Sequence, residues 1–315
     1  MAITDPIVVS KSLPTIYLDL LRAENEAESK KLLDACRNYG FFYLDLTSDP
    51  ELCKFWDEML LVMKYYFEQS LKVKMQDARG DDNFGYEGMG TEEGPKPKTR
   101  DGCESLKVQN TLRSCHLSTQ LTSLSWISRR EFLRGLTDLT SSVHSQSDVF
   151  FSFIKDAHNI TLMILSRCTG SKRFESYHAD AMARVTSHST LGMLRYPKHE
   201  EGIEPTRVGH NKHIDVGTLT FLLARQWGPQ FLSPVTKQWG FLEPRAGHAI
   251  INVGDSLRFP SGGKLASVVH RVVPLKQRQD VDRDSNGKAW TAKKWHDFKF
   301  NVFKSPSTLD ANGQF

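Results

Sequence analysis

"GHNKHIDVGTLTFLL", residues 209–223, sets a histidine and an aspartate two positions apart at the head of an apolar run. In a strand, residues i and i+2 project to one face, so the stretch predicts that His213 and Asp215 point together while Ile214 points away. An imidazole and a carboxylate side by side at the start of a strand that should bury apolar side chains are a candidate grip for a metal ion. The spacing alone is not specific, because His178-Ala179-Asp180 repeats it. That second pair sits in the polar "RFESYHADAM" with no strand pattern behind it and reads as a surface pair.

Working outward, residues from "LGMLRYP" onward alternate short β-rich runs with Gly, Pro and Asn turns: "HIDVGTLTFLL", "GFLEP", "AIINVGDSLRF" and "LASVVHRVV". This spacing predicts a sandwich or a closed double sheet. His270 closes the last of these runs and supplies a third candidate ligand. Two imidazoles and one carboxylate, His213, His270 and Asp215, make the facial triad that holds non-haem Fe(II) with coordination positions left open. A buried histidine satisfied by a backbone carbonyl is the competing reading of His270.

The first third mixes helix and strand. "NEAESKKLLDACRNYG" has helical spacing ending at Gly40, a C-cap, and the strand "FFYLDL" follows. Leu52, Phe55, Trp56, Met59, Leu60, Met63, Tyr66, Phe67 and Leu71 recur at three- and four-residue steps, predicting an amphipathic helix whose stripe packs on the core. Residues 77–108, rich in Gly, Pro and charge, predict a long loop of the kind that forms lids. "LRSCHLSTQLTSLSWISRREFLRGL" has no clean period. A further packing helix is predicted over 148–168, with Ile160 and Ile164 in its stripe.

Composition narrows the function classes. The 315 residues are 39% hydrophobic with a formal net charge of +4, and the basic residues are interspersed with acids, so no nucleic-acid footprint is drawn. The 5 cysteines are scattered and form no CxxC, which argues against a disulfide framework or a zinc ribbon and for a reducing cytoplasm. Neither a signal peptide nor a membrane-spanning run is present in the sequence, so a soluble intracellular protein is expected, as a monomer.

With "LRYP", "GHNKHIDVGTLTFLL", "GHAIINVGDSLRFPSGGKLASVVHRVV" and "ACRNYGFFYLDL", the chain resembles the Fe(II)- and 2-oxoglutarate-dependent dioxygenases of the isopenicillin N synthase-like family, and most nearly those of fungal secondary metabolism. The resemblance runs over roughly residues 12–274 and is weakest at about 108–130. It implies a mainly β fold, a double-stranded β-helix (jelly roll) with flanking helices, and iron held by His213, Asp215 and His270. It also implies 2-oxoglutarate as co-substrate, bound by an Arg-x-Ser motif matched here by Arg283 and Ser285 and helped by Tyr196, with O2 as oxidant. The implied substrate is a small molecule, oxidised by hydroxylation, desaturation or ring formation, with no catalytic side chain beyond the ligands.

The implied division is a mixed region with a long loop at 1–108, a connecting helical region at 109–190, the iron and 2-oxoglutarate core at 191–285 and a helical tail at 286–315. The sequence departs from the family after Arg283, where the polar "NGKAWTAKKWHDFKF" stands in place of an apolar strand. Other readings stay open at this point: an iron oxidase that does not use 2-oxoglutarate, a silent or truncated relative, and a cupin-type jelly roll. Gly247, Gly254, Gly262 and Gly263 read as turn residues, Trp227 and Trp239 as packing, and His210 and His248 as structural or metal-supporting groups. Substrate contacts are expected from the N-terminal part and from the 77–108 loop.

Overall fold

Two almost unbroken apolar runs form the centre of the molecule. The computed structural model describes residues 8–9, 13–78, 84–91, 100–109, 190–197 and 209–273, with eight residues between 156 and 167. Strand β3 (Phe41–Asp45) pairs antiparallel with β11 (His248–Val253), setting Phe42 opposite Ile251 and Leu44 opposite Ala249. Because side chains alternate, these strands bury both faces. Phe42, Leu44, Ala249, Ile251 and Val253 join the main core, while Phe41, Tyr43 and Ile250 pack with Phe231, Leu242 and Val268. Strands covered on both sides read as continuous apolar runs rather than alternating ones.

Around this pair, β2 (Thr15–Tyr17) and β8 (Leu219–Leu222) complete a four-stranded sheet in the order β2-β3-β11-β8. A five-stranded sheet runs β1-β10-β9-β12-β7, made of Val8–Val9, Trp239–Phe241, Pro229–Leu232, His270–Val272 and His210–His213. The Phe41 ring touches both Phe231 and His270 of this second sheet, so the two sheets close over one interior. Strand β9 is an element that the turn spacing alone had not singled out.

Helix α1 (Leu18–Arg22) leads into α2 (Glu26–Asn38), whose cap Asn25 accepts a 2.9 Å hydrogen bond from the Glu28 amide. It ends as predicted at Gly40, with φ of +65°, where a Cβ would also lie 2.1 Å from the Ala266 carbonyl oxygen. Helix α3 (Pro50–Glu68) begins at a capping Asp49 and buries Leu52, Phe55, Trp56, Tyr66 and Phe67, as its stripe predicts. Leu71 departs from that stripe: the chain turns extended at Gln69, and Leu71 opens a separate short helix, 61% exposed. In the predicted helix at 148–168, the described residues are helical, and Ile160 and Ile164 enter the main core.

The predicted loop at 77–108 is corrected in part. Strands β4 (Gly85–Glu87) and β5 (Glu104–Gln109) lie within it and form a three-stranded sheet with β6 (Thr190–Arg195). Glu104 disguised the strand, since a buried carboxylate occupies a position where apolar alternation would be looked for. It is only 2% exposed, and its charge is met by Lys74 Nζ at 2.6 Å, Arg195 Nε at 3.2 Å and the Tyr86 hydroxyl at 2.7 Å. Lys74 and Arg195 also donate to the Phe67 carbonyl, tying the end of α3 to this sheet. Among the described residues, no helix is long and apolar enough to cross a membrane.

Candidate metal centre and active site

His213 is the last residue of β7, and β12 opens with His270 directly opposite it in the ladder. This register brings the two rings to 4.3 Å between centroids. Asp215 lies just past the end of β7, so a pleat shared with His213 does not place it. Its carboxylate nonetheless reaches both rings, with Oδ1 3.3 Å from His213 Nε2 and 3.4 Å from His270 Nε2. One ligand atom from each side chain lies within 4.8 Å of the others.

Each donor is prepared by its surroundings. His213 Nδ1 donates to the Asn211 carbonyl at 2.8 Å and His270 Nδ1 to the Val268 carbonyl at 3.1 Å. A carbonyl only accepts, so these bonds place the proton on Nδ1 and leave the Nε2 lone pairs aimed at the common point. The backbone-carbonyl reading of His270 is borne out, and it does not compete with the ligand reading, because each would use a different ring nitrogen. Asp215 divides its oxygens similarly: Oδ2 accepts from Thr220 Oγ1 at 2.5 Å and from Asn252 Nδ2 at 2.8 Å, leaving Oδ1 toward the histidines. Burial alone would raise the Asp215 pKa, but the adjacent His213 and His270 rings and the Thr220 and Asn252 donors outweigh it and hold the carboxyl well below the usual range.

A backbone clamp sets the loop that carries Asp215. Gly254, which follows β11, and Asp255 and Ser256, which open the helical turn Asp255–Arg258, donate amide hydrogens to the Thr218, Asp215 and Val216 carbonyls at 2.9, 2.8 and 3.1 Å. The Ser256 hydroxyl adds a 2.5 Å bond to Val216. Gly254 was expected to serve a turn, and its role is different. Its φ is an ordinary −97°, yet a Cβ there would lie 2.1 Å from the Gly217 oxygen and 2.9 Å from the Asp215 oxygen. Gly247, Gly262 and Gly263 do take positive φ, as turn residues should.

The remaining predicted residues divide. Tyr196 follows the last residue of β6 and is 36% exposed. Arg283 and Ser285 lie outside the described residues, as do His178, Asp180 and the departing C-terminal stretch. Arg271 points away from His270, donating to Gln230 Oε1 and stacking on Trp239. Trp227 packs edge-on against Phe241, while Trp239 joins Lys212, His213, Ile214, Leu232 and Val269 around a cavity of about 380 Å³. His210 packs edge-on against His213, and His248, at the far end of β11, bonds the Ala246 carbonyl. Sequence reading missed Thr220, Asn252 and Ser256. One signal was present for Asn252, a lone amide in the otherwise apolar "AIINV".

This donor set fits iron: two neutral imidazole nitrogens and one carboxylate oxygen converge, with hydrogen-bond partners on their other atoms. The fold and the site together define a jelly-roll oxygenase of the non-haem iron class. Residues 13–124 match the family described as non-haem dioxygenase in morphine synthesis N-terminal, and residues 182–283 match the 2OG-Fe(II) oxygenase superfamily. The chain is 40% identical to the 2-oxoglutarate-dependent dioxygenase frbH of Dothideomycetidae sp., over 95% of this chain and 93% of the relative. It is 39% identical to the 2-oxoglutarate-dependent dioxygenase gloE of Glarea lozoyensis, over 96% and 91%. The crystal structure of a full-length Neurospora crassa protein in complex with alpha-KG superposes with a TM-score of 0.63 at 23% identity, covering 86% of this chain and 81% of that one. The chain belongs to the 2OG-Fe(II) oxygenase superfamily, and it is an enzyme of the Fe(II)/2-oxoglutarate-dependent dioxygenase class.

Proposed function

We propose that His213, Asp215 and His270 are the iron ligands of this dioxygenase, that Arg283, Ser285 and Tyr196 bind 2-oxoglutarate, and that the substrate is a small molecule of secondary metabolism. The observation that carries the ligand assignment is the division of atoms. Both Nδ1 groups and Asp215 Oδ2 are held by the protein, while both Nε2 atoms and Oδ1 face one another. When bound, Fe(II) with 2-oxoglutarate and O2 supplies oxidising power, yielding succinate and CO2 as the substrate is hydroxylated, desaturated or cyclised.

The chain's own part is to hold and orient. The carbonyl bonds fix the two ring tautomers, and the loop clamp places Asp215. Phe41, against His270, walls the site from the apolar interior. An arginine at 283 suits the distal carboxylate, since its planar fork meets two oxygens at once. Residues 191–285 carry this chemistry, and the 1–108 region lends β2 and β3 to the same sheet system. A cytoplasmic monomer with no nucleic-acid partner completes the reading, in keeping with 5 scattered cysteines that form no CxxC and the small net charge of +4.

An anaerobic titration of the Fe(II)-loaded protein with 2-oxoglutarate tests the assignment. A weak, saturable visible charge-transfer band is expected in the parent protein and is expected to vanish in Arg283→Ala and in His213→Ala. Full turnover by His213→Ala would sink the ligand assignment, and an undiminished band in Arg283→Ala would sink the anchor.

A further inference from the structure

Asp215 has an unusual neighbour pair. Thr220 on β8 and Asn252 on β11 are register partners in the four-stranded sheet, so both side chains leave it at one level and on one face. That face is the one turned toward the second sheet, because Asn252 shares it with Ile250 and lies opposite Phe41 of β3, while the alternating Ile251 and Val253 pack into the main core on the other side. Asn252 is 4% exposed, and its neighbour on that face, Ile250, is apolar. A buried amide costs free energy unless it is hydrogen-bonded, and the bond that Asn252 Nδ2 makes is to Asp215 Oδ2. The orientation of the amide follows from its partner, since an ionised carboxylate only accepts and the NH2 group must face it. Two donors thus converge on a single oxygen, while the other, Oδ1, receives neither.

We propose that Thr220 and Asn252 are positioning residues that make Asp215 a one-oxygen ligand, withholding Oδ2 so that only Oδ1 reaches the metal. The proposal rests on the ligand assignment above. Its consequence follows from coordination arithmetic. A metal held by three single-atom ligands would keep open positions for the co-substrate and O2. A carboxylate binding through both oxygens would occupy one of those positions and compete with the co-substrate. The sheet register therefore protects the position that the co-substrate and O2 need, although neither Thr220 nor Asn252 touches them.

The test uses the whole chain loaded with Co(II), an air-stable probe, and separately with Fe(II) under anaerobic conditions. Metal affinity, the Co(II) ligand-field absorption and 2-oxoglutarate affinity are read for the parent, Thr220→Val, Thr220→Ser and the double variant Thr220→Val/Asn252→Leu. Thr220→Val keeps the side-chain shape and guards against misfolding of the double variant. The expected result is a split. Metal affinity is kept, 2-oxoglutarate affinity falls by about ten- to a hundredfold, and the absorption changes, with Thr220→Ser restoring parent behaviour. Metal and 2-oxoglutarate affinities falling in parallel would mean general loosening and would overturn the proposal, as would unchanged 2-oxoglutarate affinity in Thr220→Val. Parent-like Co(II) binding by His213→Ala is a different failure, because it removes the ligand assignment and the proposal with it.

Discussion

At the scale of single residues, the site depends on close approach as much as on chemistry. Gly254 has an unstrained backbone, so its cost on substitution comes from contact alone: any Cβ must displace the Gly217 and Asp215 carbonyls that it would strike. Gly254→Ala is expected to move the Asp215 loop and lower Fe(II) affinity by about ten- to a hundredfold, read by metal titration. Folding measured by circular dichroism should persist. The three proposed ligands were legible because His213, Asp215 and His270 keep characteristic spacing and flanks. Thr220 and Asn252 were not, since a threonine and an asparagine in β-rich runs carry no ligand-like signature and gain their role through pairing across two strands distant in sequence.

Among the elements, those with a strong period were the readable ones. The stripe of α3 predicted its buried face as far as Phe67, and failed at Leu71 because the chain turns extended at Gln69 without a proline or glycine to announce it. Strand β5 was hidden by Glu104, whose burial is tolerable only because Lys74, Arg195 and Tyr86 arrive from three other elements. Glu104→Ala would leave Lys74, itself 6% exposed, as an uncompensated buried charge. The expected loss is about 3–5 kcal/mol of folding stability, measured by urea denaturation. A loss of only a few tenths would show that the pair is solvated and the sheet is held by Tyr66, Phe67, Leu106 and Met193 instead.

For the whole molecule, the proposed metal centre is a joint between the two sheets. Its side chains come from β7, from the loop after it and from β12, while the groups that orient Asp215 come from β8 and β11 of the other sheet. An ion bound there stabilises only the folded arrangement. Metal at a hundred times its Kd should add about 2.7 kcal/mol, and a chelator should remove it. A melting temperature that rises with Fe(II) or Co(II) in the parent but not in His270→Ala is the expected result.

The amino-acid sequence by itself determined the β-rich second half, the helices with clear caps and stripes, and the identity of three candidate ligands, because these are properties of local period and residue type. Tertiary structure decided the rest. It set Asp215 beyond the strand end, brought residues 15–17 and 41–45 into a sheet with the chain's second half, and turned a buried glutamate into a strand residue. It also chose which oxygen of Asp215 remains available. The physical reason is common to all of these: each depends on hydrogen bonds and charges supplied by segments far away in the chain, whose proximity no local pattern encodes.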